Sequence, residues 1–304
     1  MISNATVWFG IPGSPVHRWQ SLPPRVWTCV GLLAIPLWAT WPALALRGLT
    51  IPAFECLTIA FAFGWLVLAR LEKVPARTGD RGRSPRSWLV AGACALALTG
   101  SNVFHIFATH YIPAAEANLI SYLWPVEILA FGAVLQLFKL KPRHYLGLSL
   151  GFAGAIALVG GSVVSLSLAG AGLALLSGIS WAAYCLFRLT RKEEAPARVL
   201  QRGCAISTGL CLVFHILMEP TIIPDIGAFA SSAAVGVVPL ALGNLAWDEG
   251  FRRGDSRLLA VMAYATPLCS ALILVALGLE AVTRPLLIGS GLIVFAGLLS
   301  RTET

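Results

Sequence analysis

Residues 26–46 read VWTCVGLLAIPLWATWPALAL, twenty-one positions without a charge. An α-helix rises 1.5 Å per residue, so about 20 apolar residues span the hydrocarbon core of a bilayer. The run is too long for the apolar region of a signal peptide, and no cleavable leader is expected ahead of it. Comparable runs recur along the chain, and ten spans are expected: 26–46, 51–70, 88–108, 113–137, 144–163, 169–189, 199–217, 227–247, 256–278 and 285–300. The connections between them are short, which leaves no room for a separate soluble domain.

Composition agrees with that reading. Of 304 residues, 57% are hydrophobic and only 12% charged, with a mean hydropathy of +0.79. A soluble domain carries about 25% charged residues, so an ordinary cytosolic protein, a disordered chain and a disulfide scaffold are all excluded. The net charge of +8 is expected to be a membrane-topology signal, not a nucleic-acid surface. With both termini inside and ten spans, every one of the 22 Lys and Arg residues except Arg47 and Arg284 falls on the cytoplasmic side, as the positive-inside rule requires. The seven cysteines all lie in apolar runs and form no CxxC pair, so they read as small core residues. Residues 1–25 are expected to be a cytoplasmic tail, and nothing in them indicates a role.

The chain also repeats itself. At an offset of 142 positions Asn102 meets Asn244, Tyr122 meets Tyr264, Pro125 meets Pro267 and Gly147 meets Gly289; at 143, Trp38 meets Trp181. Two units of five spans are expected, residues 26–163 and 164–304. Five is odd, so the second unit enters the membrane from the opposite side. Such inverted repeats are common in secondary transporters, whose substrate site lies near the bilayer midplane between the halves.

Leu277, Gly278, Leu279 and Glu280, with Gly289 and Gly297 after them, and Ala117, Leu119 and Pro125 in the first half, resemble the EamA-like group of the drug/metabolite transporter superfamily. Phe138 stands where the second half has Glu280, a departure from the pattern. The stretch from Ala114 to Pro125, AAEANLISYLWP, is similar to exporters of aromatic amino acids within that group. The resemblance covers about residues 26–301. It implies an all-α polytopic protein of the bacterial inner membrane, with no enzymatic activity and no cofactor, that moves a small-molecule substrate by alternating access. Its partners would be an amino acid, membrane lipid and, if transport is coupled, protons. The oligomeric state is left open, a monomer included.

Candidate transport residues follow from the cost of polarity in hydrocarbon, at least ~2.5 kcal/mol for a charge at a helix centre. Glu127, two residues after Pro125, is expected to take a proton, hold a substrate ammonium, or hydrogen-bond a neighbouring helix. Glu55 and Glu116 begin their spans and read as caps or a cavity rim. Pro36, Pro42, Pro125 and Pro267 lie within spans, where they free carbonyls that then need protein or water partners; they are hinge or kink candidates. Trp38, Trp41, Trp124 and Trp181, with Tyr122, Tyr184 and Tyr264, lie at mid-membrane depth and are candidate cavity walls, although ordinary packing would use the same residues. Trp27, Trp65, Trp88 and Trp247 are expected in the interfacial aromatic belt. Asn102 and Asn244 are a repeat-matched amide pair that serves either helix contact or substrate. His105 shares the face of Asn102 and is a candidate for proton coupling. His215 reads as interfacial. Gly147, Gly151 and Ala155 form a small-residue face suited to close helix packing.

No Lys or Arg is expected in the middle of a span, which disfavours phosphorylated substrates. No Walker A sequence, metal-ligand spacing or catalytic triad is seen. Three readings therefore remain: an amino-acid exporter, a multidrug exporter of aromatic cations, and a membrane-embedded lipid-modifying enzyme or structural subunit.

Overall fold

The computed structural model describes residues 22–45, 50–72, 85–137, 139–159, 167–191, 195–278 and 284–300. Residues 1–21, Arg47, Phe138, Glu280 and the expected boundary at 163/164 lie outside the described residues. Among those described, every regular element is helical. The first expected span is broken into α1 (Pro24–Leu32), α2 (Ala34–Ala39) and α3 (Trp41–Ala45). Next come α4 (Ala53–Glu72), α5 (Pro85–Ala108), α6 (Ala114–Ser121), α7 (Trp124–Val134) and α8 (Pro142–Val159). Then follow α9 (Leu168–Thr190), α10 (Pro196–Met218) and α11 (Ile226–Val235), which runs through a π-helical stretch (Gly236–Gly243) into α12 (Asn244–Arg253). The chain closes with α13 (Ser256–Met262), α14 (Ala265–Ala276) and α15 (Arg284–Ser300).

Seven stretches are long and apolar enough to cross a membrane, and an eighth is α13 with α14, a pair bent by 43°. Helices α8 and α15 occupy the places of the other two expected spans. The outward surface is apolar: Leu89, Val134, Ile216, Leu217 and Leu287 are all exposed, which suits a chain whose solvent is lipid. Polar side chains turn inward instead, among them Glu127, Arg188, Asn244 and Asp248.

The helix breaks follow a rule. Pro36, Pro42, Pro125 and Pro267 each fall in the first turn of a helical segment, next to the breaks that divide their spans. A first-turn proline has no intrahelical N–H to lose, so each break costs little backbone pairing. The carbonyls near the early breaks find partners: Leu37 O accepts from the Thr40 hydroxyl at 2.7 Å, and Leu44 O accepts from the Ser231 hydroxyl. Pro239 is different. It lies inside the π-helical stretch, whose wider turn accommodates the ring.

At the opposite end from α12, Glu219 caps α4. Its carboxylate accepts from the amides of Phe54 (3.0 Å) and Glu55 (3.2 Å), and the residue beside it in space, His215, holds the same carboxylate at 3.1 Å. Glu55, expected as a cap or part of a cavity rim, accepts from the Ile222 amide through its carboxylate at 3.1 Å.

One buried cluster runs through the whole bundle, from Ala34 to Ala296. The most extensive helix pairs are α4 with α10, α8 with α15, α5 with α9 and with α10, and α1 with α12. Each joins a helix before residue 160 to one after 167. Two crossings have no room for a side chain. A Cβ on Gly236 would fall 2.0 Å from the Ala60 carbonyl oxygen, and one on Gly250 would fall 2.3 Å from the Gly31 Cα. Both obstacles are backbone, which cannot rotate away. Gly236→Ala and Gly250→Ala are therefore expected to destabilise the protein by about 3 kcal/mol or more, whereas Gly209→Ala, with nothing within 4 Å, serves as the silent control. Thermal melting in detergent reads the difference.

Candidate functional site

The segmented start of the chain delivers Trp38, on α2, to the centre of the bundle. Its indole N–H donates to the Asn244 amide oxygen at 2.9 Å. A Cβ on Gly243, next to that asparagine, would lie 2.8 Å from the indole, so the bare glycine is what lets the ring approach. Around Trp38 stand Trp247 at 5.0 Å, Trp181 at 5.5 Å and Trp124 at 6.3 Å between ring centroids. Trp124 also meets Trp181 at 6.2 Å and Trp247 at 5.5 Å, both edge to face. Edge-to-face pairs each contribute about 0.5–1.5 kcal/mol beyond area burial. Tyr184 stacks on Trp181 at 5.2 Å, and Phe251 on Trp247 at 5.3 Å.

Trp38, Trp124, Trp181, Tyr184 and Asn244 are thus brought together in one packed cluster. Trp247 corrects its assignment to the interfacial belt: it is wholly buried, and its N–H donates to Cys185 Sγ at 3.2 Å. The Asn244–Trp247 spacing of three places both on one helix face and was the available signal. Trp88, by contrast, stays at the surface, with Arg202 over its ring at 4.5 Å. Trp41 and Tyr122 are partly buried and pack against the core without joining the ring cluster.

Beneath the aromatic cluster lies a charge pair. Arg188 Nε donates to Asp248 Oδ2 at 3.0 Å, and both side chains are about 1% exposed. The charge distribution assigns Arg188 to the cytoplasmic side. It is buried in the last turns of α9, on the face that carries Trp181 and Tyr184, at spacings of seven and four. Asp248 directly follows Trp247. The pair is neutral as a unit, so Arg188 offers no spare positive charge.

One helical turn beyond Trp124 is Glu127, in the first turn of α7. It is 8% exposed, and neither carboxylate oxygen has a hydrogen-bond partner among the described residues. The carboxylate faces Gly178 of α9, where an added Cβ would fall 2.7 Å from Oε2. Nearby polar groups are already engaged with each other. His105 Nδ1 lies 3.3 Å from the Ser121 hydroxyl, Ser121 donates to Ala174 O at 3.1 Å, and Ser177 donates to Ser101 O at 2.7 Å. Neither Ser121 nor Ser177 stands out in the sequence. Tyr264 is fully buried with its hydroxyl unpartnered among the described residues; its ring lies on Gly151, where a Cβ would come within 2.5 Å, so that small-residue face seats an aromatic ring. Asn102 does not mirror Asn244: it donates back to Leu98 O of its own helix at 2.9 Å.

Removing one member of a buried ion pair strands the other charge, at a cost of about 3–5 kcal/mol. Asp248→Asn is accordingly expected to lower the melting temperature sharply, while Arg188→Leu combined with Asp248→Leu recovers most of the loss.

Comparison with known proteins places this arrangement. A model of the EamA-like transporter family matches the chain twice, over residues 25–160 and 168–302. The chain is 31% identical over 272 residues to the aromatic amino acid exporter YddG of Ancylobacter novellus, covering 88% of this chain and 94% of that protein. It is 25% identical over 264 residues to the exporter of the same name from Salmonella typhimurium, covering 80% of this chain and 86% of the other. It is also 25% identical to the uncharacterised inner membrane transporter YedA of Escherichia coli K12, covering 86% and 82% respectively. A crystal structure of a protein 30% identical in sequence superposes with a TM-score of 0.85 over 91% of this chain and 97% of its own. Two successive family matches that together take in nearly all of a helical, lipid-suited bundle identify the chain as a membrane transporter that belongs to the EamA-like family.

Proposed function

We propose that this chain exports aromatic amino acids and related metabolites across the bacterial inner membrane, by alternating access through a central cavity between two five-helix repeats. The observation that carries the reading is the four-tryptophan cluster, drawn from α2, α7, α9 and α12, beside the unpartnered carboxyl of Glu127. Indole faces suit an aromatic side chain by stacking and a substrate ammonium by cation–π attraction. Glu127 supplies the anionic partner for that ammonium. The amide of Asn244, held now by Trp38, becomes available to substrate when the indole swings aside. Each ring contact in the cluster is worth little alone, so a flat substrate exchanges for it at small cost.

The same reading takes residues 26–163 and 164–304 as inverted repeats with both termini in the cytoplasm, and residues 1–25 as a cytoplasmic tail. The two family matches support the division. The helix breaks at Tyr122 and Tyr264, one in each half, support the repeat. The distribution of Lys and Arg supports the orientation. The curated relatives named as exporters support the direction of transport.

A second reading, a proton-coupled multidrug exporter of aromatic cations, draws on the absence of a basic partner for Glu127 among the described residues and on the neutralisation of Arg188 by Asp248. Uptake of labelled phenylalanine, tyrosine and tryptophan into liposomes carrying the purified protein separates the two. Saturable uptake without an imposed pH gradient, competed by unlabelled tryptophan, is expected. Silence toward every amino acid, with uptake of a quaternary ammonium dye instead, would establish the second reading. Glu127→Gln is expected to flatten the dependence of uptake on pH; an unchanged pH profile would remove Glu127 from any proton step.

A further inference from the structure

Below the aromatic cluster, a cavity of about 460 Å³ opens between the segment that follows α7, the end of α9, the end of α12 and the start of α13. The volume is within the range typical of small-molecule sites, about 300–1,000 Å³. Three cationic side chains line it from three separate segments: Lys139, Arg252 and Arg257. The one carboxylate in the lining, Asp255, accepts at Oδ1 from the amides of Arg257 (3.1 Å) and Leu258 (3.2 Å) and pairs with Arg257 Nε at 3.4 Å, while Arg257 Nη1 donates to Lys139 O at 3.4 Å. Lining charge is therefore positive on balance. The rest of the wall is apolar, with Leu137, Leu189 and Phe251. Phe251 is the connection: its ring stacks on Trp247 at 5.3 Å, and Trp247 lies 5.0 Å from Trp38. An unbroken aromatic path thus leads from the cavity to the centre of the bundle.

We propose that this cavity is a loading site for amphipathic monocarboxylates, in which Lys139, Arg252 and Arg257 take the carboxylate while the apolar wall takes the side chain, before the substrate passes along Phe251 to the tryptophan cluster. Guanidinium and ammonium groups bind carboxylates by charge-assisted hydrogen bonds. The central cluster carries no net positive charge, because Asp248 balances Arg188 one to one, whereas the cavity lining sets three cations against one carboxylate, so recognition of the two ends of an amino acid is divided between two places. The proposal rests on the export reading, which puts the basic cavity on the cytoplasmic side where cargo is collected. An anionic lipid headgroup presents similar chemistry, and the test separates the two.

Lys139 is exposed, so Lys139→Gln leaves the fold intact; Arg257→Gln is the second variant, and melting temperatures confirm that both are folded. Phenylalanine uptake is measured in liposomes with and without phosphatidylglycerol. The KM of each variant is expected to rise about tenfold with the maximal rate preserved, and the KM of the wild type, unlike the variants', is expected to climb with ionic strength. An unchanged KM in variants of a transporting protein overturns the loading site and leaves the export reading standing. A defect seen only with phosphatidylglycerol present assigns the cavity to lipid and also overturns it. Absence of amino-acid uptake by the wild type removes both readings together.

Discussion

A backbone N–H or C=O left without a partner in hydrocarbon costs several kcal/mol, and the shape of this bundle follows from where the chain meets that cost. The chain interrupts its helices at Leu33, Thr40, Tyr122 and Tyr264. After each interruption a proline follows inside the first turn of the next segment. The freed carbonyls of Leu37 and Leu44 take hydroxyl donors. Only because these breaks are satisfied does α2 sit where it does, with Trp38 at the middle of the molecule and its one N–H spent on Asn244.

That placement organises the interior in layers. Glu127 and the serine-rich contacts around His105 lie one turn from Trp124. The tryptophan cluster comes next, then the Arg188–Asp248 pair, then the basic cavity around Arg252 and Arg257. Polarity inside a membrane protein is costly and retained where it does something. The two buried charged features differ in kind: Arg188 and Asp248 are mutually satisfied and structural in character, while Glu127 has no partner among the described residues.

Much of this was legible in the amino-acid order. Apolar runs located the helices, and depth along each run picked out Trp38, Trp124 and Trp181. Four charged residues follow Trp247 within six positions, and charge normally marks the end of a span, so the sequence predicts that the eighth span ends at Trp247. Helix α12 continues to Arg253 regardless, because those charges are paired: Asp248 with Arg188, and Glu249 with Arg253 at 2.9 Å. A partner sixty positions away leaves no trace in local composition, so the sequence alone places Trp247 at the interface and Arg188 on the cytoplasmic side. The difference between Asn102 and Asn244 was hidden for the same reason. Matching positions in a repeat predict matching depth, not matching neighbours.

The pairing of helices bears on how the protein is made. Helices α1, α4, α5 and α8 have their main partners in α12, α10, α9 and α15. When the ribosome has delivered the first five expected spans, those partners have not been synthesised. The emerging half must wait in the bilayer as separately inserted helices, with the surfaces of Gly31 and Ala60 uncovered until Gly250 and Gly236 arrive. Much of the tertiary assembly is thus deferred to the second half of translation, and lipid is the provisional neighbour of the helix faces that those partners later cover.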